Sequence, residues 1–252
     1  MKNNAGNEFM IKTRYANVST SPQNGGVIPQ PPLELPVPEG IELIELLKPE
    51  KIHLLPIDLR SAIETRRTIR AYAKTPLNLE ETAYLLWVSQ GVKHVSTRPS
   101  TARTVPSAGA RHAFETLLLA NRITGLEPGL YRYAAIEHGL LPLNADKEIA
   151  EKLAHACLDQ SQLTNCAAAF IWVVVVERMF WRYAERGYRY LHLDAGHVCQ
   201  NLALGAEQIG CGICPIAAFD DEQLNQTLGL DGEEQFVIYL ATVGKKIVQH
   251  GS

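Results

Sequence analysis

Apolar residues recur along this chain in two rhythms, and the rhythms predict different elements. Leu79, Ala83, Leu86 and Trp87 fall at helical spacing behind Asn78-Leu79-Glu80-Glu81. There the Asn78 oxygen can accept from the Glu81 amide while the Glu81 side chain reaches back, and Gly91 can end the helix. Val198, Leu202, Ala206 and Ile209 give a longer stripe and predict a helix from about Leu193 to Gly210. Residues 145–158 carry the same period through Ile149, Leu153, Ala156 and Cys157. A short helix is expected from Asp58, as its cap, to about Arg66, with Leu59, Ala62 and Ile63 as its apolar side. By contrast, residues 170–176 are continuously apolar and β-branched, which suits a central strand buried on both faces. Phe114–Leu119, Gly129–Tyr133 and Phe236–Leu240 read as further strands, and residues 94–110, rich in Ser, Thr, Pro and Gly, as a loop. Helices and strands alternate without a regular β-α-β series and without an internal repeat, so the expected fold class is α+β.

The first 40 residues break both rhythms. Asn, Ser and Gly are frequent, and Pro29, Pro31, Pro32, Pro36 and Pro38 favour extended, polyproline-like backbone. This predicts an extended arm over residues 1–40, lying across the body or a partner subunit, and a main domain over 41–252.

Composition narrows the function. The chain has 252 residues, 46% of them hydrophobic and 20% charged, with a net charge of −3. That balance argues against a nucleic-acid coat or a membrane-surface protein. The N-terminus lacks a charged-then-apolar signal pattern and no apolar run reaches the roughly 20 residues of a spanning helix, so a cytoplasmic location is expected. Five cysteines in a chain of this size suggest free thiols in a reducing compartment.

Against that mildly acidic background Arg66-Arg67-Thr68-Ile69-Arg70 stands out. Guanidiniums match phosphate oxygens two at a time and stay charged. A helix C-terminus also attracts cations through its dipole, so the cluster alone does not separate an anion site from helix-end charge. No G-x-G-x-x-G follows a strand and no G-x-x-x-x-G-K-[ST] is present, which leaves any phosphate to be held by side chains. Three more segments bear on the question. Thr104–His112 is a small-residue loop that lets backbone approach a flat ligand. Cys211–Asp220 follows the long helix, and Thr242–Lys246 ends the last strand with two cations. Cys211-x-x-Cys214 has redox spacing but follows a helix instead of opening one, and is read as small loop residues. His192, Asp194 and His197 diverge around a helix and make no metal motif. His197, Gln200 and Asn201 are read as a polar helix face. Trp87 and Trp172 are expected in the core, while Trp181 and Tyr183 suit either packing or a substrate wall. The acidic runs at 220–222 and 231–234 are read as solvated helix starts and turns.

Taken in order, Arg-Arg-Thr-x-Arg-x-Tyr (66–72) with Leu77, Pro-Ser-Ala-Gly-Ala-Arg (106–111), Gly125–Tyr133, and Asp194-Ala195-Gly196-His197 with Gln200-Asn201 resemble the nitroreductase family of FMN enzymes, nearest its SagB-type dehydrogenase branch. The resemblance covers about residues 50–246. It implies an α+β fold with a central, mainly antiparallel sheet flanked by helices, in an intertwined homodimer with two FMN sites at the subunit interface. It also implies that Arg66, Arg67 and Thr68 meet the FMN phosphate and ribityl chain and Arg70 the pyrimidine edge, with Lys245 and Lys246 as further phosphate cations. Pro106, Ser107, Ala108 and Gly109 would lie along the flavin from the other subunit. Ile216, Ala217 and Ala218 would present backbone to flavin N5, with Pro215 opening the same cofactor-binding segment. NAD(P)H is the implied electron donor and a small molecule the substrate. A guanidinium beside N1 and O2 favours hydride acceptance, because reduced flavin carries negative charge there.

Azoline-oxidising members of the branch carry a Lys-Tyr pair where this chain has Arg182-Tyr183, and these two are the candidate catalytic residues. A buried lysine can shed its proton and arginine cannot. The sequence therefore favours a general flavin reductase or dehydrogenase over an azoline dehydrogenase acting on a modified peptide; a non-catalytic flavin-binding protein is the third reading.

Overall fold

The computed structural model describes residues 4–26, 28–97 and 99–247. In chain order its elements are α1 (Ala5–Lys12), α2 (Pro22–Gly25), β1 (Ile44–Glu45), α3 (Leu59–Thr65), β2 (Leu77–Asn78), α4 (Leu79–Gln90), β3 (Val92–Val95), β4 (Thr101–Arg103), β5 (Phe114–Ala120), β6 (Ile123–Thr124), β7 (Gly129–Ala134), β8 (Gly139–Asn144), α5 (Ile149–Ala156), α6 (Gln162–Asn165), β9 (Ala168–Val175), α7 (Val176–Tyr183), α8 (Gly187–Gln208), β10 (Cys211–Ile216), α9 (Asp221–Thr227) and β11 (Gln235–Lys245).

Seven strands form one antiparallel sheet in the order β1-β8-β7-β5-β9-β11-β10. The α+β class and the mainly antiparallel sheet flanked by helices thus hold. β9 pairs with β5 on one side and β11 on the other. Its alternate side chains enter two cores. Phe170, Trp172 and Val174 pack toward α4 and α8, while Ala169, Ile171 and Val173 pack toward α5 and α9. This burial on both faces explains why β9 reads as an unbroken apolar run.

The capping box at Asn78 and Glu81 forms as expected, with Glu81 N donating to Asn78 Oδ1 at 2.8 Å. Several expectations need correction. α8 begins at Gly187, earlier than the stripe suggested, because Arg186 gives it no side-chain cap and its first turns carry Tyr and Arg. Residues 211–216 form an edge strand rather than a loop: pairing with β11 dominates, and Pro215 is tolerated because an edge strand needs no second row of donors. Residues 92–103 contain the β3–β4 hairpin within the expected loop. α3 has only Ala62 buried; Leu59 is 64% and Ile63 55% exposed, so its apolar side faces away from the chain's own core.

The arm is not extended throughout. Asn4 caps α1 by accepting from Asn7 N, and Ser21 caps α2 with Pro22 in its first turn. The proline-rich part after α2 is extended and docks on the chain's own body. Arg178 Nε donates to Pro32 O, Arg132 Nη2 to Pro36 O and Leu35 N to Glu115. Among the described residues no helix is long and apolar enough to cross a membrane.

Candidate functional site

Three of the four singled-out segments meet on the outer edge of the sheet, where β10 runs. Arg66 closes α3, its amide donating to Ala62 O. The chain then turns alongside β10, with Thr68 bridging Ile213 and Ile69 N donating to Ile213 O at 2.9 Å. The approach is close because Gly212 has no side chain; a Cβ there would meet Ile69 Cγ1 at 2.4 Å. Tyr72 locks the turn with its hydroxyl, donating to Ile69 O at 2.7 Å and lying 2.7 Å from Thr242 Oγ1. Lys245 faces Cys211 across the β10–β11 ladder, and Lys246 N donates to Gly210 O.

The cations gathered there differ in kind. Lys245 Nζ is paired with Glu81 and also donates to Ile209 O at 2.8 Å. Lys246 Nζ is paired with Glu207, which also accepts from Thr65 Oγ1 at 3.0 Å. Among the described residues the arginines in ion pairs are Arg60, Arg132 and Arg178. Arg66, Arg67 and Arg70 therefore have no carboxylate partner, and Arg67, Thr68 and Arg70 are exposed. Guanidiniums beside a hydroxyl are the donor chemistry that suits an anion. Both lysines already have counter-ions, so they buttress this site rather than stand free.

Farther along the same edge, Ile216 is buried while Ala217 and Ala218 are exposed, and Gln160 Nε2 holds Ala218 O at 2.8 Å. Burial raises the Cys214 thiol and nearby Arg70 opposes that rise. Burial pushes Cys211 up to about 12. Both thiols are free, and residues three apart on a strand point to opposite faces, which leaves no vicinal redox pair.

The fourth segment lies elsewhere. Ser107 Oγ donates to buried Asp194 on α8 at 2.6 Å, Ala108 N donates to the same carboxylate at 3.3 Å, and His112 N donates back to Ser107 Oγ at 2.9 Å. Burial raises Asp194 above the usual carboxylate range, and Ser107 partly offsets that. The loop is strained, with Gly109, Ala110 and His112 at φ of 58°, 52° and 43°. Gly109 lies so close to Arg182 Nε and Tyr183 Oη that a Cβ would meet both at 2.5 Å. Arg182 Nε donates to Tyr183 Oη at 3.3 Å, and the Tyr183 ring meets Tyr190 edge-on at 4.8 Å. The loop thus joins the two catalytic candidates. Asp194 and Glu207 are thirteen residues apart on α8, or about 20 Å at 1.5 Å per residue. One chain thus holds the arginine edge and the Pro106–Gly109 loop at well-separated points along that helix.

Sequence reasoning missed two parts of this arrangement. Asp194 was weighed as a metal ligand, yet it clamps the loop. Asn201, assigned only to a polar face, donates to Val88 O at 3.0 Å and Thr104 O at 3.3 Å, tying the loop's start to α4 and α8. The small polar loop residues were visible in the sequence, but their partners 87 or more positions away were not.

The model of the nitroreductase family matches residues 63–245. A Methanocaldococcus jannaschii protein named as a nitroreductase is 32% identical over 191 residues, covering 76% of this chain and 92% of that one. The trifolitoxin-processing protein of Rhizobium leguminosarum bv. trifolii is 30% identical over 144 residues; the match covers 56% of this chain but only 39% of that protein's length. A Desulfovibrio desulfuricans protein solved in complex with FMN superposes with a TM-score of 0.54 at 17% identity, covering 79% of this chain and 91% of that one.

Proposed function

The chain belongs to the nitroreductase family, and from that premise we propose that it is an FMN-dependent oxidoreductase, carrying hydride or electrons from a reductant such as NAD(P)H to a small organic acceptor. The observation that carries this reading is the edge of β10, where Arg66, Arg67, Thr68 and Arg70 lie near the Pro215–Ala218 backbone and the three arginines have no carboxylate partner among the described residues. That donor set fits a flat anionic cofactor. Arg66, Arg67 and Thr68 would hold its phosphate end, with Lys245 and Lys246 behind them, and Arg70 would face the pyrimidine edge. Ile216, Ala217 and Ala218 would offer backbone to N5, with Pro215 beside them. FMN, when bound, supplies reversible hydride acceptance at that nitrogen. Arg70 would stabilise negative charge on the ring's pyrimidine edge.

The Pro106–Gly109 loop requires a second copy in this reading. It stands about 20 Å along α8 from the phosphate end, by the helical rise, so the loop of one protomer would cover the flavin of its partner. Exposed Leu55, Leu59, Ile63 and Leu193 supply apolar surface for such a homodimer. Tyr183 is the hydroxyl beside Gly109 that could hold or donate a proton, and Arg182 orients it.

Likeness to the trifolitoxin-processing protein favours a second reading, a dehydrogenase acting on a modified peptide. Arg182 weighs against azoline chemistry there, because arginine cannot serve as the proton acceptor a lysine can. Purified protein should be yellow, with an FMN spectrum that NAD(P)H bleaches without oxygen. A colourless protein that refuses FMN contradicts the flavoenzyme reading, and FMN binding without bleaching by any reductant leaves a passive binder.

A further inference from the structure

Next to Gly109 opens a cleft of about 590 Å³, walled by arm residues Gln23 and Gln30 and by Pro99, Arg111, Trp181 and Arg182. Two guanidiniums face it. Arg111 is only 8% exposed, donates through Nε to Gly109 O at 3.0 Å, and lies 5.5 Å over the Trp181 ring. Arg182 holds Tyr183 Oη through Nε and Gln23 Oε1 through Nη1 at 3.4 Å. Neither has a carboxylate partner among the described residues, whose arginine ion pairs involve Arg60, Arg132 and Arg178. Burial lowers the Arg111 guanidinium and the charge of Arg182 lowers it further, so the pair repel one another across the cleft. A buried cation without an anion is costly, and a ligand carboxylate removes that cost with bidentate, charge-assisted bonds.

We propose that this cleft binds the carboxylate of a small organic substrate, clamped between Arg111 and Arg182 with its carbon skeleton against Trp181 and Pro99. The flat walls of Trp181 and Pro99 suit a carbon body beside the charged head better than a bare inorganic anion. Gly109 borders the same cleft, which sets the bound molecule beside the loop assigned to the flavin. That the anion is a substrate rests on the flavoenzyme reading; the binding itself does not.

Titration calorimetry of the full-length protein with benzoate and its neutral isostere benzamide tests this directly. Benzoate should bind at least about tenfold more tightly than benzamide, as expected for hydrogen bonds to charged groups. Added salt should weaken benzoate alone. Arg182→Gln should erase the difference and Arg182→Lys should retain most of it. Arg111→Gln should also abolish the preference, with thermal unfolding checking that the loop has not collapsed. Equal binding of the two probes, inorganic phosphate binding tighter than that of benzoate and lost in Arg182→Gln, or benzoate binding indifferent to both arginine variants overturns the proposal. A colourless protein that still prefers benzoate keeps the anion cleft and removes the flavoenzyme reading. A yellow protein with no preference does the reverse.

Discussion

Two sets of three arginines meet opposite fates in this molecule. Arg66, Arg67 and Arg70 stand on the edge of the large sheet with no carboxylate partner among the described residues. Arg103, Arg132 and Arg178 lie buried beneath the arm around Glu115 and Glu34. Arg178 Nη2 meets Glu115 at 2.6 Å and Arg132 Nη1 meets it at 3.7 Å. Arg103 donates to Thr101 and Gln90, and the charges of Glu34 and Glu115 offset the effect of its burial. The buried set also grips arm carbonyls at Pro32 and Pro36, and Glu34 accepts from Ala135 N at 2.6 Å. At Arg132 and Arg178 the chain supplies the counter-ion and the arginine locks structure; the Arg66–Arg70 cluster has none among the described residues.

The sharpest break of this comparison is to remove the shared counter-ion of the buried set. Glu115→Ala should cost about 3–5 kcal/mol in denaturant unfolding, because it strands buried guanidiniums. A loss below about 1 kcal/mol would show that the buried set is not held by charge. The second effect is a pH dependence. Burial and the neighbouring Glu115 raise Glu34 to about 7, although the Ala135 amide opposes them. The folded state therefore holds a proton that the unfolded chain releases. Its contribution is complete below the unfolded value near 4.5 and is lost as pH rises through about 7. Stability should fall by about 2 kcal/mol between pH 5 and pH 7 on this account, and Glu34→Gln should flatten that slope. A profile unchanged by Glu34→Gln contradicts the assignment.

Third, Asp194→Ala leaves Ser107 Oγ and Ala108 N without their acceptor. It should cost about 1–3 kcal/mol and loosen the Pro106–Gly109 loop, as read by proteolysis or amide exchange. Equal protection in both proteins would remove Asp194 as the clamp. The smallest stability effect belongs to the exposed set. Arg67→Ala should shift unfolding by no more than about 0.5 kcal/mol, the usual range for a surface change. A larger loss would mean that Arg67 has an internal partner after all.

The contrast also explains what could be read in the sequence. The exposed set is contiguous, so five adjacent letters display it. The buried set comes from β4, β7 and α7, and only folding brings those residues around Glu115. Likewise the capping box at Asn78 was legible because both partners lie within one turn, and β9 because burial on both faces leaves an unbroken apolar run. The start of α8 was not legible, since no capping side chain marks it. The edge strand at Cys211–Ile216 hid behind Pro215, whose missing donor matters only in a central strand. The order of four motifs pointed to the family, but only the structure separates residues 66–70, 211–220 and 242–246, which share one sheet edge, from the 104–112 loop held by Asp194 on α8.

The central claim is that the exposed arginines hold a phosphate. FMN and riboflavin, which lacks the phosphate, can be titrated against wild-type protein and an Arg66→Ala/Arg67→Ala variant. Wild type should prefer FMN by about a hundredfold, as two charge-assisted contacts of ~1.5 kcal/mol each allow. The variant should bind the two flavins alike while unfolding at nearly the wild-type midpoint. A variant that keeps the full preference for FMN, or a wild type that has none, contradicts the account.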